Sequence, residues 1–280
     1  MTQDKAYTFA IDQGNANEQF NIKHCNAVLK QVWDEQVVPE VDRYRLNAWA
    51  QGAGIVLGGS ALTKDTVVEA LLTAHAAMSN KRVPKGKARV TFISETLAIA
   101  TKLATNLQNN ERYTSGAILN GQIGVINGSP VIAVPDDLLP TGVSFMIKYK
   151  GATVDPMKRK VLRVQTHPLG FDADVGEGRY IHDSFVLGQK INGIYVYGAT
   201  ANVTATPTIS IAGGGEVTLT ASGSDGIKYT LDGSNPKNSA TAQVYSGSGK
   251  PNAPAGTVVK AYAYKSGLLN SGVSESVSAG

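Results

Sequence analysis

The side chains most able to do chemistry in this sequence are His167, His182 and Asp183, with Asp172 and Asp174 close by. Imidazole and carboxylate groups are the usual metal ligands and proton carriers, so the five could gather as a metal or acid–base cluster. Their spacing also fits a plainer reading. Asp172-Ala-Asp174 and Gly176-Glu-Gly178 form a loop whose backbone the histidines satisfy. The four histidines of the chain are widely separated. No phosphate-cradling Gly-x-x-x-x-Gly-Lys-Ser/Thr run, Gly-x-Ser-x-Gly elbow, Cys-x-x-Cys or His-Glu-x-x-His occurs. The single cysteine, Cys25, lies on a predicted helix without a basic neighbour in sequence, so it reads as a small buried hydrophobe and not a nucleophile. The expectation is a non-enzyme, with no catalytic residue, no metal site and no cofactor.

Two further groups could bind. Lys158-Arg159-Lys160 is a short basic triplet, and Lys81-Arg82, Lys85, Lys87 and Arg89 form a looser cluster. With a formal net charge of +4 over 280 residues, both read as solvated surface able to meet a polyanion, not as a dedicated nucleic-acid stripe. Tyr262 and Tyr264 share one face of a strand and could form an aromatic platform for a sugar, or simply fill a sandwich surface. Trp33 and Trp49, sixteen residues apart on one predicted helix, point about 160° apart and therefore pack into different surroundings.

The elements that would carry these residues change character along the chain. Residues 5–12 alternate apolar and small or polar side chains as a strand does. A long helix is predicted over about 17–51, with Phe20, Val28, Val32, Val41, Tyr44 and Ala48 as its stripe and Pro39 kinking or dividing it. A second helix runs to Asn80 from an N-cap at Thr63, burying Val67, Ala70, Leu71, Ala74 and Met78. A strand over 88–94 and a helix over 95–107 follow. Short strands over 117–134 turn at Asn120-Gly121 and Asn127-Gly128. More strands cover 145–149, 160–167 and 178–197. This part is α+β, since strands and helices do not alternate regularly. Beyond Gly198 a small-residue linker with Pro207 leads into strands at 208–212, 216–221, 226–231, 242–246, 257–264 and 272–277, the pattern of a small all-β sandwich. No apolar run approaches a membrane span, and the first residues lack signal-peptide character.

The order of elements over about residues 1–198 resembles the Hong Kong 97-type major capsid protein of tailed phages. The resemblance is carried by the strand Ala6–Ile11, the helix bearing Val37-Val-Pro-Glu-Val-Asp-Arg-Tyr-Arg45, the Asn80-Lys-Arg-Val-Pro84 helix end, Val90–Ser94, Gly124–Pro135, and Asp183–Val186 through Gly193–Tyr197. It implies a spine helix with a peripheral domain (1–54 and 151–198, including a remnant of the extended loop) and an axial domain (55–150). The family's N-terminal arm and half of its extended loop would precede residue 1. A chain so arranged, its first strand without a hairpin partner, is expected to be monomeric or weakly associated. Ile227–Pro236 followed by Gly256–Gly267 is similar to the immunoglobulin-like domain that ends chitobiase and β-hexosaminidase, over about 203–280.

Together these resemblances imply a structural shell protein of a virion, made in a bacterial host's cytoplasm. It would associate with copies of itself in hexamers and pentamers and meet packaged double-stranded DNA non-specifically through an inner surface bearing Lys158, Arg159 and Lys160. A surface-exposed immunoglobulin-like domain would stand beyond a linker at 199–207, with Tyr262 and Tyr264 facing glycans. That linker, small and unpatterned, is expected to be flexible enough for protease to release about 203–280. The alternatives are an encapsulin-like cellular nanocompartment shell and a bacterial carbohydrate-binding or adhesion protein.

Overall fold

The computed structural model describes residues 1–12, 25–104, 122–166, 168–170 and 172–278. The predicted turn at Asn120-Gly121, the start of the first helix and the last residues of the 95–107 helix lie outside them, as does His167. The chain forms two compact units, Met1–Leu46 with Val154–Phe185, and Asn47–Thr153 with Val186–Gly280.

In the first unit, β1 (Gln3–Asp12), β8 (Met157–Thr166) and β9 (Ala173–His182) make a three-stranded antiparallel sheet in the order β1-β9-β8. The first strand, expected to lack a hairpin partner, pairs with β9 along all its length, from Gln3 opposite His182 to Asp12 opposite Ala173. Its partner comes from far along the chain, which local sequence cannot reveal. Gly176 and Gly178, expected in a loop, lie inside β9 opposite Phe9 and Tyr7. The aromatic rings lie over the bare glycine backbone, which is how a strand tolerates residues of poor strand propensity.

The helix of this unit is α1 (Cys25–Val32), then a π turn over Trp33–Val37, then α2 (Val38–Gly52), whose last turns belong to the second unit. Cys25, Leu29, Trp33, Val37 and Val41 are buried, a strict spacing of four that differs from the expected stripe. Such a row drifts by about 40° per step around an α-helix. The wider π turn takes up that drift. It also answers Pro39, which has no N–H and whose ring would meet the carbonyl four residues back. The Val38 N–H donates to Trp33 O, five residues back, just ahead of the proline. Trp33, Val37 and Val41 pack with Tyr180 of β9, the Trp33 and Tyr180 rings meeting edge to face at 5.8 Å.

The second unit is built on a six-stranded mixed sheet in the order β2-β11-β6-β3-β5-β4. Its strands are β2 (Ile55–Gly59), β3 (Arg89–Ser94), β4 (Gln122–Ile126), β5 (Ser129–Val134), β6 (Val143–Tyr149) and β11 (Ile194–Ala199). β2 runs parallel to β11 and β3 to β5, and the other pairs are antiparallel. Two-residue strands β7 (Thr153–Val154) and β10 (Phe185–Val186) lie where the chain passes between units. The β4–β5 hairpin turns at Asn127-Gly128, both with positive φ (50° and 77°), the twist a two-residue hairpin loop requires.

Helices α3 (Val67–Asn80) and α4 (Glu95–Leu103) lay Val67, Leu71, Ala74, Met78, Leu97 and Ala98 onto Ile93, Val131, Phe145, Ile147 and Tyr195. α3 begins later than expected: Thr63 closes a preceding turn, its carbonyl accepting from Val67 N, and makes no side-chain cap. Ser94 does cap α4, its Oγ accepting from Leu97 N at 3.2 Å. Trp49 lies on Phe92 with the Lys148 ammonium 3.3 Å above its ring, so the two tryptophans do serve different cores.

Also in this unit, β12 (Thr208–Ile211) pairs with β13 (Val217–Thr220). β14 (Gly226–Thr230), β15 (Gln243–Val244), β16 (Val258–Tyr264) and β17 (Ser274–Val277) form a sheet ordered β15-β14-β16-β17. Val217, Leu219, Ile227, Tyr229, Val259, Ala261 and Ala263 fill the space between the two sheets.

Candidate functional site

Among the described residues the candidate acid–base cluster does not assemble. His182 and Asp174 stand at opposite ends of β9, eight residues or roughly 26 Å apart along an extended strand. Asp183 is held locally: its carboxylate accepts from Tyr44 Oη at 2.8 Å and from the Thr2 and Ser184 backbone N–H groups, each at 2.9 Å. Burial pushes its pKa up, and these donors outweigh it, leaving the carboxyl below its ordinary range. His182 is buried between the Tyr180 and Tyr44 rings. Burial, with Arg45 and Lys5, lowers its pKa, so it is neutral near pH 7. Among the described residues no three His, Cys, Asp or Glu side chains come together as a metal site. Cys25 is buried, and burial together with the Asp174 carboxylate pushes its thiol pKa up, the reverse of nucleophile activation.

The basic triplet lies exposed at the start of β8, where a bulge between Met157 and Arg159 disturbs the alternation. The Lys160 ammonium sits 3.9 Å over the Trp33 ring. Lower on the same sheet, Arg163 pairs with Glu177, and Arg179 makes a two-pronged bond to Asp4, whose pKa that bond lowers. The looser cluster is not uniformly a solvated face. Arg89 is fully buried, with Nε donating to Pro84 O at 2.7 Å, Nη1 to His75 O at 2.9 Å, and Nη2 to Val83 O at 2.7 Å and Ser79 Oγ at 3.2 Å. It ties the Asn80–Pro84 turn to the end of α3. The signal was present in the sequence: Arg89, Thr91 and Ile93 share the buried register of β3.

The tyrosine platform is corrected in one of its two members. Ala261 and Ala263 face the sandwich interior, so Tyr262 and Tyr264 point to the opposite face, their ring centroids 6.4 Å apart. Tyr262 is only 7% exposed, so it offers no ring face for a sugar. Lys237 Nζ sits 5.5 Å from its ring and donates to Ala53 O at 2.6 Å and Gln51 O at 3.1 Å, at the C-terminal end of α2. Stacking with a sugar would rest on the half-buried Tyr264 alone, which has Lys228 Nζ 5.9 Å from its ring. Sequence periodicity placed both tyrosines on one face but could not show what covers it.

Residues 199–207, expected to be an unpatterned linker, make specific contacts. The Ala199 N–H donates to Gly142 O, the Thr204 N–H to Leu269 O, and the Leu269 N–H to Asn202 O. Elsewhere in the unit Leu72 on α3, and Ile99 and Leu103 on α4, present exposed apolar side chains. No described helix is long and apolar enough to cross a membrane.

The fold has clear relatives among phage structures. The chain is similar to the capsid structure of the cyanophage P-SCSP1u, with a TM-score of 0.55 and 16% identity, covering 70% of this chain and 72% of that one. It is also similar to a structure of Mycobacterium phage Che8, with a TM-score of 0.52, 14% identity and 70% of each chain covered. A Microbacterium phage Oxtober96 structure gives a TM-score of 0.51 at 10% identity, over 70% of this chain and 72% of that one. The mixed α/β arrangement with several sheets is therefore a fold found in a phage capsid. Residues 199–276 match the family described as the chitobiase/beta-hexosaminidase C-terminal domain. No curated protein matches the sequence.

Proposed function

We propose that this chain is a structural major capsid protein that self-assembles into the icosahedral head shell of a tailed bacteriophage, and that it is not an enzyme. The observation carrying this reading is the fold shared with the cyanophage capsid structure. Capsid subunits act by burying surface against copies of themselves in symmetric sets, here hexamers and pentamers. The exposed Leu72, Ile99 and Leu103 suit that use better than they suit a solitary soluble domain. In the proposed layout, 1–54 and 151–198 form a peripheral domain of Hong Kong 97 type around a spine helix, 55–150 an axial domain, and 208–280 an immunoglobulin-like domain after a connection at 199–207. Lys158, Arg159 and Lys160 face packaged double-stranded DNA, and the protein is made in the host cytoplasm and resides in the virion. Electron microscopy of the protein expressed from its natural reading frame tests this: closed shells or capsomer rings are expected. A monodisperse monomer at high concentration would overturn it. Shells filled with a protein cargo in place of DNA would favour a cellular nanocompartment.

A further inference from the structure

The C-terminal sandwich is seated on the six-stranded sheet unit by bonds of several kinds. Lys237 reaches out of the Asp232–Ser239 loop and donates to two carbonyls, Gln51 O and Ala53 O, where α2 ends. The last carbonyls of a helix have no partner within it, so a donor arriving from elsewhere satisfies groups that would otherwise need water. Nearby, the Asn270 N–H donates to Gln51 Oε1 at 3.0 Å, and the Val273 N–H to Gly54 O at 2.9 Å. Asn238 Nδ2 donates to Val186 O at 2.9 Å. Gly272 lies so close to Val56 that an added Cβ would stand 3.2 Å from its backbone nitrogen. Val56 belongs to β2, the outermost strand of its sheet, whose free edge would otherwise expose unpaired backbone groups. Tyr262 is buried on this same face.

We propose that the C-terminal module is a brace, an integral support that holds the end of α2 and covers the edge at β2, and not a tethered appendage. The Val273–Gly54 bond joins the two main chains directly and each other bond of the seat uses a main-chain group on one side, so the seat depends on the relative placement of two backbones. Removing the seat therefore loosens both the helix end and the sheet edge, while leaving the sandwich interior intact. The brace concerns the folded chain itself, so its test does not depend on whether the protein forms shells.

Hydrogen exchange on the full chain reads the seat directly. The Asn270 and Val273 amides bond across it, whereas the Ser271 amide bonds to Ala263 O within the sandwich. In Lys237→Ala, exchange at Asn270 and Val273 should accelerate at least tenfold while Ser271 keeps its protection. Protease should then cut within 199–207 and release the module, and should not release it from the unaltered chain. Lys228→Ala, on the same face but over Tyr264, should change neither. If Lys237→Ala fails to fold, Gln51→Ala removes the acceptor of the Asn270 N–H alone and should still accelerate that amide. Unchanged Asn270 and Val273 exchange in the foldable variant overturns the brace. So does release of the module from the unaltered chain as readily as from the variant.

Discussion

Arg89 and His75 show how much of this fold is decided by single polar side chains in the wrong-looking place. A buried guanidinium is costly unless its donors are used, and all three nitrogens of Arg89 have partners in the last turns of α3 or the turn after it. Beside it, His75 is 1% exposed, and its Nε2 finds no partner among the described residues. Burial first, and then the Arg89 charge, lower its pKa from 6.5 to about 4. A folded-state pKa below the unfolded one means that the unfolded chain binds the extra proton between those values. Stability from this residue is thus complete above pH 6.5 and is lost as pH falls through 6.5 towards 4. The loss is on the order of 3 kcal/mol. Thermal melts of the native chain and of His75→Gln between those pH values should converge as pH falls, since glutamine does not titrate. Parallel curves would show that His75 is not the titrating group. Arg89's role was not legible from composition, because a basic residue in a basic cluster reads as surface. Only the period-two register of β3 hinted otherwise.

At the scale of elements, legibility follows how local the determining interaction is. The sandwich strands were placed within a residue or two of their positions, and the Asn127-Gly128 hairpin was read correctly, because turn chemistry and alternation are local. β9 was partly read as loop because its glycines look like turn residues until the cross-strand rings are seen. The π turn was missed because the expected stripe ran through Val28 and Val32, whereas the buried row is Cys25, Leu29, Trp33, Val37 and Val41. A Cβ at Gly178 would overlap the Tyr7 ring, and one at Gly176 the Phe9 ring. Gly178→Ala should therefore destabilise the chain by about 1–3 kcal/mol despite alanine's similar strand propensity. Pairing it with Tyr7→Ala should recover part of the loss, measured by denaturant unfolding. A neutral Gly178→Ala would mean that the ring does not lie over the strand.

For the molecule as a whole, the candidate site was never a pocket. The sequence offered short charged and aromatic groups, and only contacts from distant segments decide which of them remain available. Tyr262 is taken up by the seat of the sandwich, and Arg89 by a turn. The triplet on β8 remains exposed, but its members are not equivalent. Lys160 rests on the Trp33 ring, a contact that holds its charge in place. Lys158 and Arg159 have no close ion pair among the described residues, although Arg159 lies near enough to Asp4 to help lower its pKa. If this face meets DNA, affinity arises from counterion release, with no sequence preference and a salt slope of about 0.9 per phosphate neutralised. Replacing all three residues by glutamine should lower that slope by nearly three, because the ring contact leaves the Lys160 charge in place. Fluorescence anisotropy with two short duplexes of unrelated sequence, between about 50 and 200 mM salt, measures it. Equal affinity for both duplexes and a reduced slope in the variant are expected. An unchanged slope removes the triplet from the DNA-facing surface, whatever the shell does.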